Sequence, residues 1–348
     1  MTDGASVAAS PAGTRRFSAL SVGGVMGWLA LLILLLAAAS LQIGYVGFPA
    51  LDVIGAAFGV GDAKLVTIVQ ELRLPRTLLA LLIGAAMGMS GAVLQGLLRN
   101  PLAEPQVLGI TSAAGLGAVI AIYFGLARLF PYALPLCAMA GAGIVTGTLY
   151  TIVSRGSSGL TLILAGVAIS GLCISLQSLA MNLSPNPWAV NEMIFWLLGS
   201  VKDRNFTDIA LAGPFIGVGC SVLLLAGRAL DALSLGEDAA QNLGFDLGRV
   251  RIMAIVGTSL AVGASVAVAG GISFIGLVVP HLLRPFIGHM PSRLLLPSAL
   301  AGAALLLAAD IFIRWFDVGT ELQLGVVTSL LGAPFFLYLI FKMQGRFQ

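Results

Sequence analysis

Eight stretches of this chain contain no Asp, Glu, Lys or Arg: residues 17–51, 77–98, 105–127, 129–154, 156–191, 209–227, 252–283 and 322–341. Crossing a hydrocarbon core takes about 20 apolar residues as helix. Inside that core every backbone N–H and C=O must find an internal partner, which leaves only helices and closed barrels as spanning structures. Barrel strands alternate apolar and polar side chains over about ten residues, and these runs do not alternate. The chain therefore reads as an all-α polytopic membrane protein. Composition agrees: 9% of residues are charged and 58% hydrophobic, whereas a soluble domain carries about a quarter charged residues.

Spans are predicted at 23–43, 76–98, 106–124, 132–153, 208–227, 294–313 and 323–341. Two runs are too long for one helix. The first, 156–191, ends in Ser184-Pro-Asn-Pro-Trp188, a helix-breaking cluster, so it divides into a span at 160–181 and a short interfacial helix around 190–198. The second, 252–283, contains Gly270-Gly271 and divides into 251–269 and a shorter helix from Ser273 to about Phe286. The total is about ten transmembrane helices in a compact bundle. With the N-terminus in the cytoplasm, Arg15, Arg16, Arg99, Arg155, Arg228, Arg249, Arg251, Arg284, Arg293, Lys342 and Arg346 fall inside. Lys64, Arg73, Arg76, Arg128, Lys202, Arg204 and Arg314 fall outside. That excess of inside cations fits the positive-inside rule and puts both termini in the cytoplasm.

A net charge of +3 does not imply nucleic acid, because the cations stand singly between apolar runs. Cys137, Cys173 and Cys220 lie inside such runs without CxxC spacing and read as small buried apolar residues. The apolar stretch after Arg15 and Arg16 continues to Leu51 without a clear small-residue cleavage site, so it reads as a retained first span. Glycines at small-xxx-small spacing, Gly84/Gly88 and Gly143/Gly147, with Gly109 near Gly115 and Gly117, suit close helix packing within one subunit.

The polar features discriminate among functions. The longest polar interruption on the inside runs from Arg228 to Phe245. Glu237 and Asp238 after Gly236 favour a helix start, and Gly244 suits a stop just beyond the C-cap. Leu235, Ala239 and Leu243 are predicted to share one face, either for docking into a groove on a cytoplasmic partner or as part of a plain connecting loop. Outside, Glu71-Leu-Arg-Leu-Pro-Arg-Thr77 places Arg73 and Arg76, read as exposed, at a proline-initiated helix start. By chemistry alone they are snorkelling anchors or a landing site for an acidic partner, with anchors favoured. Asp310 is the main ionisable group within a span, and Arg314 at i+4 is a sufficient partner. Ion-coupled secondary transporters normally carry midplane carboxylates or relays, and no second candidate is present. The chain has no GxxxxGK[ST] phosphate loop and no HExxH, and only His281 and His289 are available. No catalytic, metal or cofactor site is expected. An ATP-independent secondary transporter and a membrane scaffold or receptor are the rival readings.

Several blocks in order carry a family resemblance: Leu72-Arg-Leu-Pro-Arg-Thr77, Ser90-Gly-Ala-Val-Leu-Gln95, Asn100-Pro-Leu-Ala-Glu-Pro105 with Leu108-Gly109, and Leu164-Ala-Gly-Val167. Next come Leu233-Ser-Leu-Gly-Glu237 with Leu243-Gly244, then Gly276-Leu-Val-Val-Pro-His281. The last block has Gly325-Val-Val-Thr328 and Gly332-Ala-Pro-Phe-Phe-Leu337. From about residue 70 to 342 the chain resembles the FecCD or BtuC-like permeases of iron-siderophore, haem and cobalamin ABC importers, a type II importer fold.

The resemblance implies an inner-membrane protein: a cytoplasmic tail over 1–20, a transmembrane permease domain over 21–348 and a coupling loop at about 229–249. Its implied partners are a second copy of itself, two ATP-binding cassette ATPase subunits and a periplasmic substrate-binding protein, with the cargo path at the homodimer interface. Arg73, Arg76 and Arg314 match family arginines that pair with acidic residues of the binding protein, expected as rim-exposed pairs. Lys202 and Arg204, on the same side, are second-rank candidates that the resemblance does not support. Ser234, Leu235, Gly236, Glu237, Ala239, Ala240, Leu243 and Gly244 match the coupling segment on the ATPase. Ser157, Ser158, Gly159 and Leu160 lie where the family has its cytoplasmic gate loop. His281 matches a position shared by members that carry no haem, which implies a structural use. The sequence departs from the family at Gln323, where proline usually follows Glu321-Leu322.

Overall fold

The computed structural model describes residues 21–44, 47–156, 158–316 and 322–344, with no strand among them. Ten apolar helices recur where spans are predicted. They are α1 (Val22–Gln42), α2 (Leu74–Leu97), α3 (Ile110–Tyr123), α4 (Ala133–Ser154), α5 (Gly159–Leu183), α6 (Phe206–Leu225), α7 (Leu247–Ala269), α8 (Ile275–Ile287), α9 (Pro291–Trp315) and α10 (Leu324–Gln344). Seven of them are long and apolar enough to cross a membrane alone, and α3, α8 and the apolar part of α10 are shorter.

The short helices have a physical cause. With 14 and 13 residues, α3 and α8 are only about 20 Å long, against a core of about 30 Å. Non-helical chain precedes each one. The predicted span at 106–124 instead begins with a 3-10 turn, Pro105–Leu108, and breaks at left-handed Gly109. Between α7 and α8, Gly270 and Phe274 both have positive φ and separate the two helices. Such backbone is tolerated at membrane depth where protein covers it or it borders a cavity, and Leu108 and Ile272 are buried.

Pro75 does not start its helix, contrary to the sequence expectation. Helical backbone begins at Ala63 and reaches α2 through a π-helical turn, Ile68–Arg73. Proline lacks the N–H that an α-helix would use and crowds the preceding turn; a widened turn accommodates that loss, and Leu74 N–H bonds back to Val69 O.

The bundle has an inner and an outer set. In α2 and α7, 78% of the most apolar window is buried, against 6% in α1 and 17% in α5. The outer helices thus keep wide apolar faces for lipid or for another subunit. α2 packs most extensively on α9, and α7 on α6, α4 and α2. Without a hydrophobic drive between helices in lipid, close approach of small residues has to supply this packing. Gly84 and Gly88 meet Gly302 and Ser298 of α9, and Gly91 meets Gly276 of α8. The Gly143/Gly147 pair differs from the packing expected of it: nothing described lies within 4 Å of a Cβ at either position.

The interfacial helix exists as Pro187–Leu197, starting three residues earlier than predicted because Asn186 caps it through Trp188 N–H. Gln323 precedes α10 directly, and its carbonyl accepts from Val326 and Val327. The tail at 1–20, with Arg15 and Arg16, lies outside the described residues, as do Ser157, Glu321 and Arg346.

Arg155 and Arg249 are exposed at the end assigned to the cytoplasm. In a variant lacking the native cysteines, a cysteine at either position is expected to resist an impermeant thiol reagent added to intact cells. Labelling at either one from outside would overturn the ten-span topology.

Candidate functional site

The candidate side chains gather at the two ends of the bundle. At the end assigned to the outside, a pocket of about 280 Å³ is lined by Arg73, Arg76, Lys202, Asp203, Arg204 and Arg314 among other residues. The structure therefore brings together the three family-type arginines and the two second-rank cations. It also corrects the expectation of rim exposure, because Arg73 is 6% exposed and the Arg76 and Arg314 side chains are 12% and 5% exposed.

Internal partners explain that burial. Arg73 Nη1 donates to the carbonyls of Leu41 (2.6 Å) and Gln42 (3.0 Å) at the end of α1, and its guanidinium lies 5.7 Å from the Phe48 ring centre. Arg314 donates to Ser40 O (2.8 Å), Ile43 O (3.1 Å) and Ser40 Oγ (2.6 Å). Those carbonyls belong to the final turn of α1, which has no further helical N–H to receive them. Asp310 pairs with Arg314 Nη2 at 2.9 Å, as its i+4 spacing predicts. It also takes Arg76, with Nη2 at 2.9 Å and Nε at 3.0 Å, a pairing missed in the sequence. The available signal was a lone intraspan carboxylate at the same depth as two arginines.

The loop carrying Lys202 and Arg204 is fixed at both ends. Ser200 N–H donates to Ala269 O (2.7 Å) and Lys202 N–H to Ser200 Oγ (3.1 Å). Asn205 and Asp208 form a reciprocal capping box that starts α6. Burial lowers the pKa of Arg204, while Asp208 and Asp203 act in the opposite direction.

At the opposite end, Glu237–Asn242 forms the predicted short helix. Gly244 is left-handed, its N–H donates to Gln241 O (2.8 Å), and Phe245 N–H donates to Ala240 O (3.1 Å). That bond pair is a Schellman stop. Leu235 and Leu243 are 71% and 62% exposed, Ala239 is half-buried and Ala240 is buried. Glu237 pairs with Arg251 of α7 at 2.9 Å, which fixes the helix to the bundle. Behind it, Asp231 accepts from Ser292 N (2.8 Å) and Ser292 Oγ (2.5 Å) at the start of α9.

Of the four residues expected at a cytoplasmic gate, Ser157 lies outside the described set. Ser158 caps α5 by accepting from Thr161 N–H, Gly159 begins the helix, and Leu160 is 66% exposed. His281 packs edge-on against Phe335, with ring centres 5.9 Å apart. A larger cavity, about 610 Å³, opens where the break at Gly271 and the start of α10 at Gly325 meet the interfacial helix end at Trp196–Leu198; Gln106, Gln177 and Ser329 supply polar groups. Gln177 is held by a bond from Nε2 to Ser112 O (2.7 Å).

Ten apolar helices among the described residues, with clusters of charged side chains toward the ends and a cavity beside a helix break, describe a multi-pass membrane permease. The FecCD transport family model matches residues 30–342. The vitamin B12 import system permease protein BtuC of Klebsiella pneumoniae is 41% identical over 286 residues, covering 82% of this chain and 86% of that protein. Its counterpart in Salmonella typhimurium is 43% identical over 279 residues, covering 79% and 83%. An inward-facing structure of a metal-chelate type ABC transporter superposes with a TM-score of 0.82 at 32% identity, covering 91% of this chain and 99% of that one. This chain belongs to the FecCD family and is an ABC importer permease of the FecCD/BtuC type.

Proposed function

We propose that the chain is the transmembrane subunit of an importer carrying a bulky metal chelate, a corrinoid of the vitamin B12 kind, from periplasm to cytoplasm. Identity of 41% and 43% to vitamin B12 import permeases, over most of both chains, carries the cargo assignment. An iron chelate, siderophore or haem, is the second reading, favoured by the 32% identical metal-chelate transporter. Two copies form a dimer in the inner membrane with termini in the cytoplasm and the path between them. The cavity beside the helix break supports a path wall there, since irregular membrane backbone needs a cavity or cover. A periplasmic binding protein docks over the arginine pocket, and two ATPase subunits bind the coupling segment and hydrolyse the ATP.

The test is uptake of cyanocobalamin by proteoliposomes holding the permease, its ATPase and its binding protein. Uptake that needs ATP and the binding protein supports the reading. Uptake without ATP would turn it into a secondary transporter, and uptake of a ferric siderophore alone would favour the second reading.

The coupling segment has its own expected result. Leu235, in the turn before the short helix, and Leu243, at its C-cap, offer two exposed apolar side chains that flank a helix held by Arg251, rather than one helical face. Burying one leucine in a partner groove contributes roughly 1.5–3 kcal/mol, so Leu243→Asp is expected to weaken ATPase assembly by at least about tenfold. Membrane insertion should be unchanged, as Leu243 is solvent-facing within the protomer. Co-purification of the ATPase with the variant at wild-type yield and full uptake would remove the docking role.

A further inference from the structure

We infer that the cavity beside the break before α8 selects cargo by charge: its uncharged polar wall, with Gln177 and Gln106 foremost, passes a neutral, amide-bearing metal chelate and holds back an anionic one. This rests on the importer reading above and adds to it a selection made by the permease itself.

Four elements bring the polar groups together. α3 supplies Thr111, α5 supplies Gln177, α10 supplies Ser329, and the 3-10 turn Pro105–Leu108 supplies Gln106. The frame around them is rigid. A Cβ at Gly325 would overlap the carbonyls of Gly271 and Leu198, so backbone meets backbone there. Gly115 leaves space for the Gln177 amide, since a Cβ at that position would come within 3.0 Å of Nε2. Gln177 is 7% exposed, and its Nε2 donates to Ser112 O at 2.7 Å. Gln106 is held through its backbone: its carbonyl accepts from Gly109 N–H (3.1 Å) and Ser170 Oγ (3.4 Å), while the residue stays exposed.

The chemistry of these groups sets the preference. Among the described residues that line the cavity there is no Asp, Glu, Lys, Arg or His. A cargo carboxylate or catecholate that leaves bulk water for such a wall loses hydration and meets no counter-charge. A cargo amide loses less, and side-chain amides and hydroxyls return both donors and acceptors. Gln177 sharpens the difference. Ser112 O takes one N–H, and the amide group has a second N–H and the oxygen Oε1. An amide guest suits either of these; a carboxylate suits only the N–H and sets acceptor against acceptor at Oε1.

Size extends the argument to the dimer. A cavity of about 610 Å³ falls within the ~300–1,000 Å³ of sites for drug-sized ligands. A bulkier chelate would take the matching cavity of the second copy as well, and two-fold symmetry gives that copy the same lining.

The experiment compares cyanocobalamin with its monocarboxylate, made by hydrolysing one peripheral amide, in proteoliposomes holding the complete importer. Both are supplied at concentrations that saturate the binding protein, whose affinity for each is measured separately, so its own selection drops out. A neutral ferric trihydroxamate and an anionic ferric tris-catecholate form a second pair. Wild type is expected to carry the neutral member about tenfold faster or more, the effect of one poorly solvated charge. Ser329→Lys and Gln106→Lys each put a cation on the wall and should narrow that gap severalfold. Gln177→Leu should narrow it too, by slowing the neutral cargo. Ser329 is half-buried and Gln106 exposed, so the yield of both lysine variants should match wild type.

Equal rates for cyanocobalamin and its monocarboxylate in wild type would overturn the inference and leave the corrinoid reading intact. A gap that none of the three substitutions changes would place the selection elsewhere and overturn it as well. If neither corrinoid is carried, the corrinoid reading fails and the ferric pair decides: a faster trihydroxamate supports charge selection, and a faster tris-catecholate refutes it. Uptake of none of the four would remove the importer reading and this inference together.

Discussion

Asp310→Asn is expected to cost about 3–5 kcal/mol, the usual penalty when one partner of a buried ion pair is removed. The carboxylate is 1% exposed and takes Arg76 and Arg314 together, each at 2.9 Å. Asparagine is nearly the same size, so packing survives while two buried guanidiniums lose their counter-charge. A loss of that size is a large part of a total stability of about 5–15 kcal/mol, so the variant should melt well below wild type in detergent. Combining it with Arg76→Gln should cost less than the sum of the two singles, since coupled neighbours are not additive. A melting temperature within a degree of wild type would show that the triad contributes little.

The position of Asp310 makes this more than a packing defect. It lies near the outer end of α9, whose 25 residues extend about 37 Å. Ser292, at the other end of α9, is bonded to Asp231 in the segment leading to the coupling helix. One helix thus carries the arginine cluster at one end and, at the other, the anchor of the segment proposed to couple to the ATPase. A break at Asp310 should therefore reduce uptake by more than the lost protein amount explains.

These two ends were legible to different degrees. The short helix Glu237–Asn242 rests on local signals. Gly236, Glu237-Asp238 and Gly244 announce a start and a stop within a few residues, and the folded helix uses all of them. The number of spans was equally accessible, because hydrophobic length is written along the chain. Breaks inside the membrane were less accessible. Gly270-Gly271 announced the break at 270–274, whereas that at 105–109, despite Pro105 and Gly109, was read as part of a span.

Arg76 and Asp310 are 234 positions apart, and no local pattern joins them. Each was noticed singly, Arg76 as an exposed cation and Asp310 as the partner of Arg314. Folding placed them together because α2 and α9 approach through Gly84, Gly88, Ser298 and Gly302. The burial of the arginine cluster follows from the same approach and from the end of α1 above it. Its internal pairing was therefore hidden, while its place at one end of the bundle was not.

Gly91→Val is the second change expected to have a large effect, and it separates two glycine patterns that look alike in sequence. A Cβ at Gly91 would overlap the backbone carbonyl of Gly276, and Gly91 Cα already lies 3.2 Å from where a Cβ on Gly276 would be. Backbone cannot rotate away as a side chain does, so the α2–α8 contact must open. Overpacking costs about 1–3 kcal/mol where side chains can shift, and the upper part of that range or more is expected here. Separating α8 from α2 also disturbs Gln95, which is 3% exposed, bonds Gly276 O (3.2 Å) and receives Arg284 Nη2 (2.6 Å). Gly91→Val should lose most of the folded permease in size-exclusion profiles, and what remains should be inactive in uptake. Gly143→Ala should do neither, since nothing described lies within 4 Å of its Cβ; removing a helical glycine contributes roughly 0.5–1 kcal/mol of stability. Equal tolerance of both substitutions would refute the close α2–α8 approach. A severe loss at Gly143 alone would mean that the open face of α4 is filled in the assembled transporter.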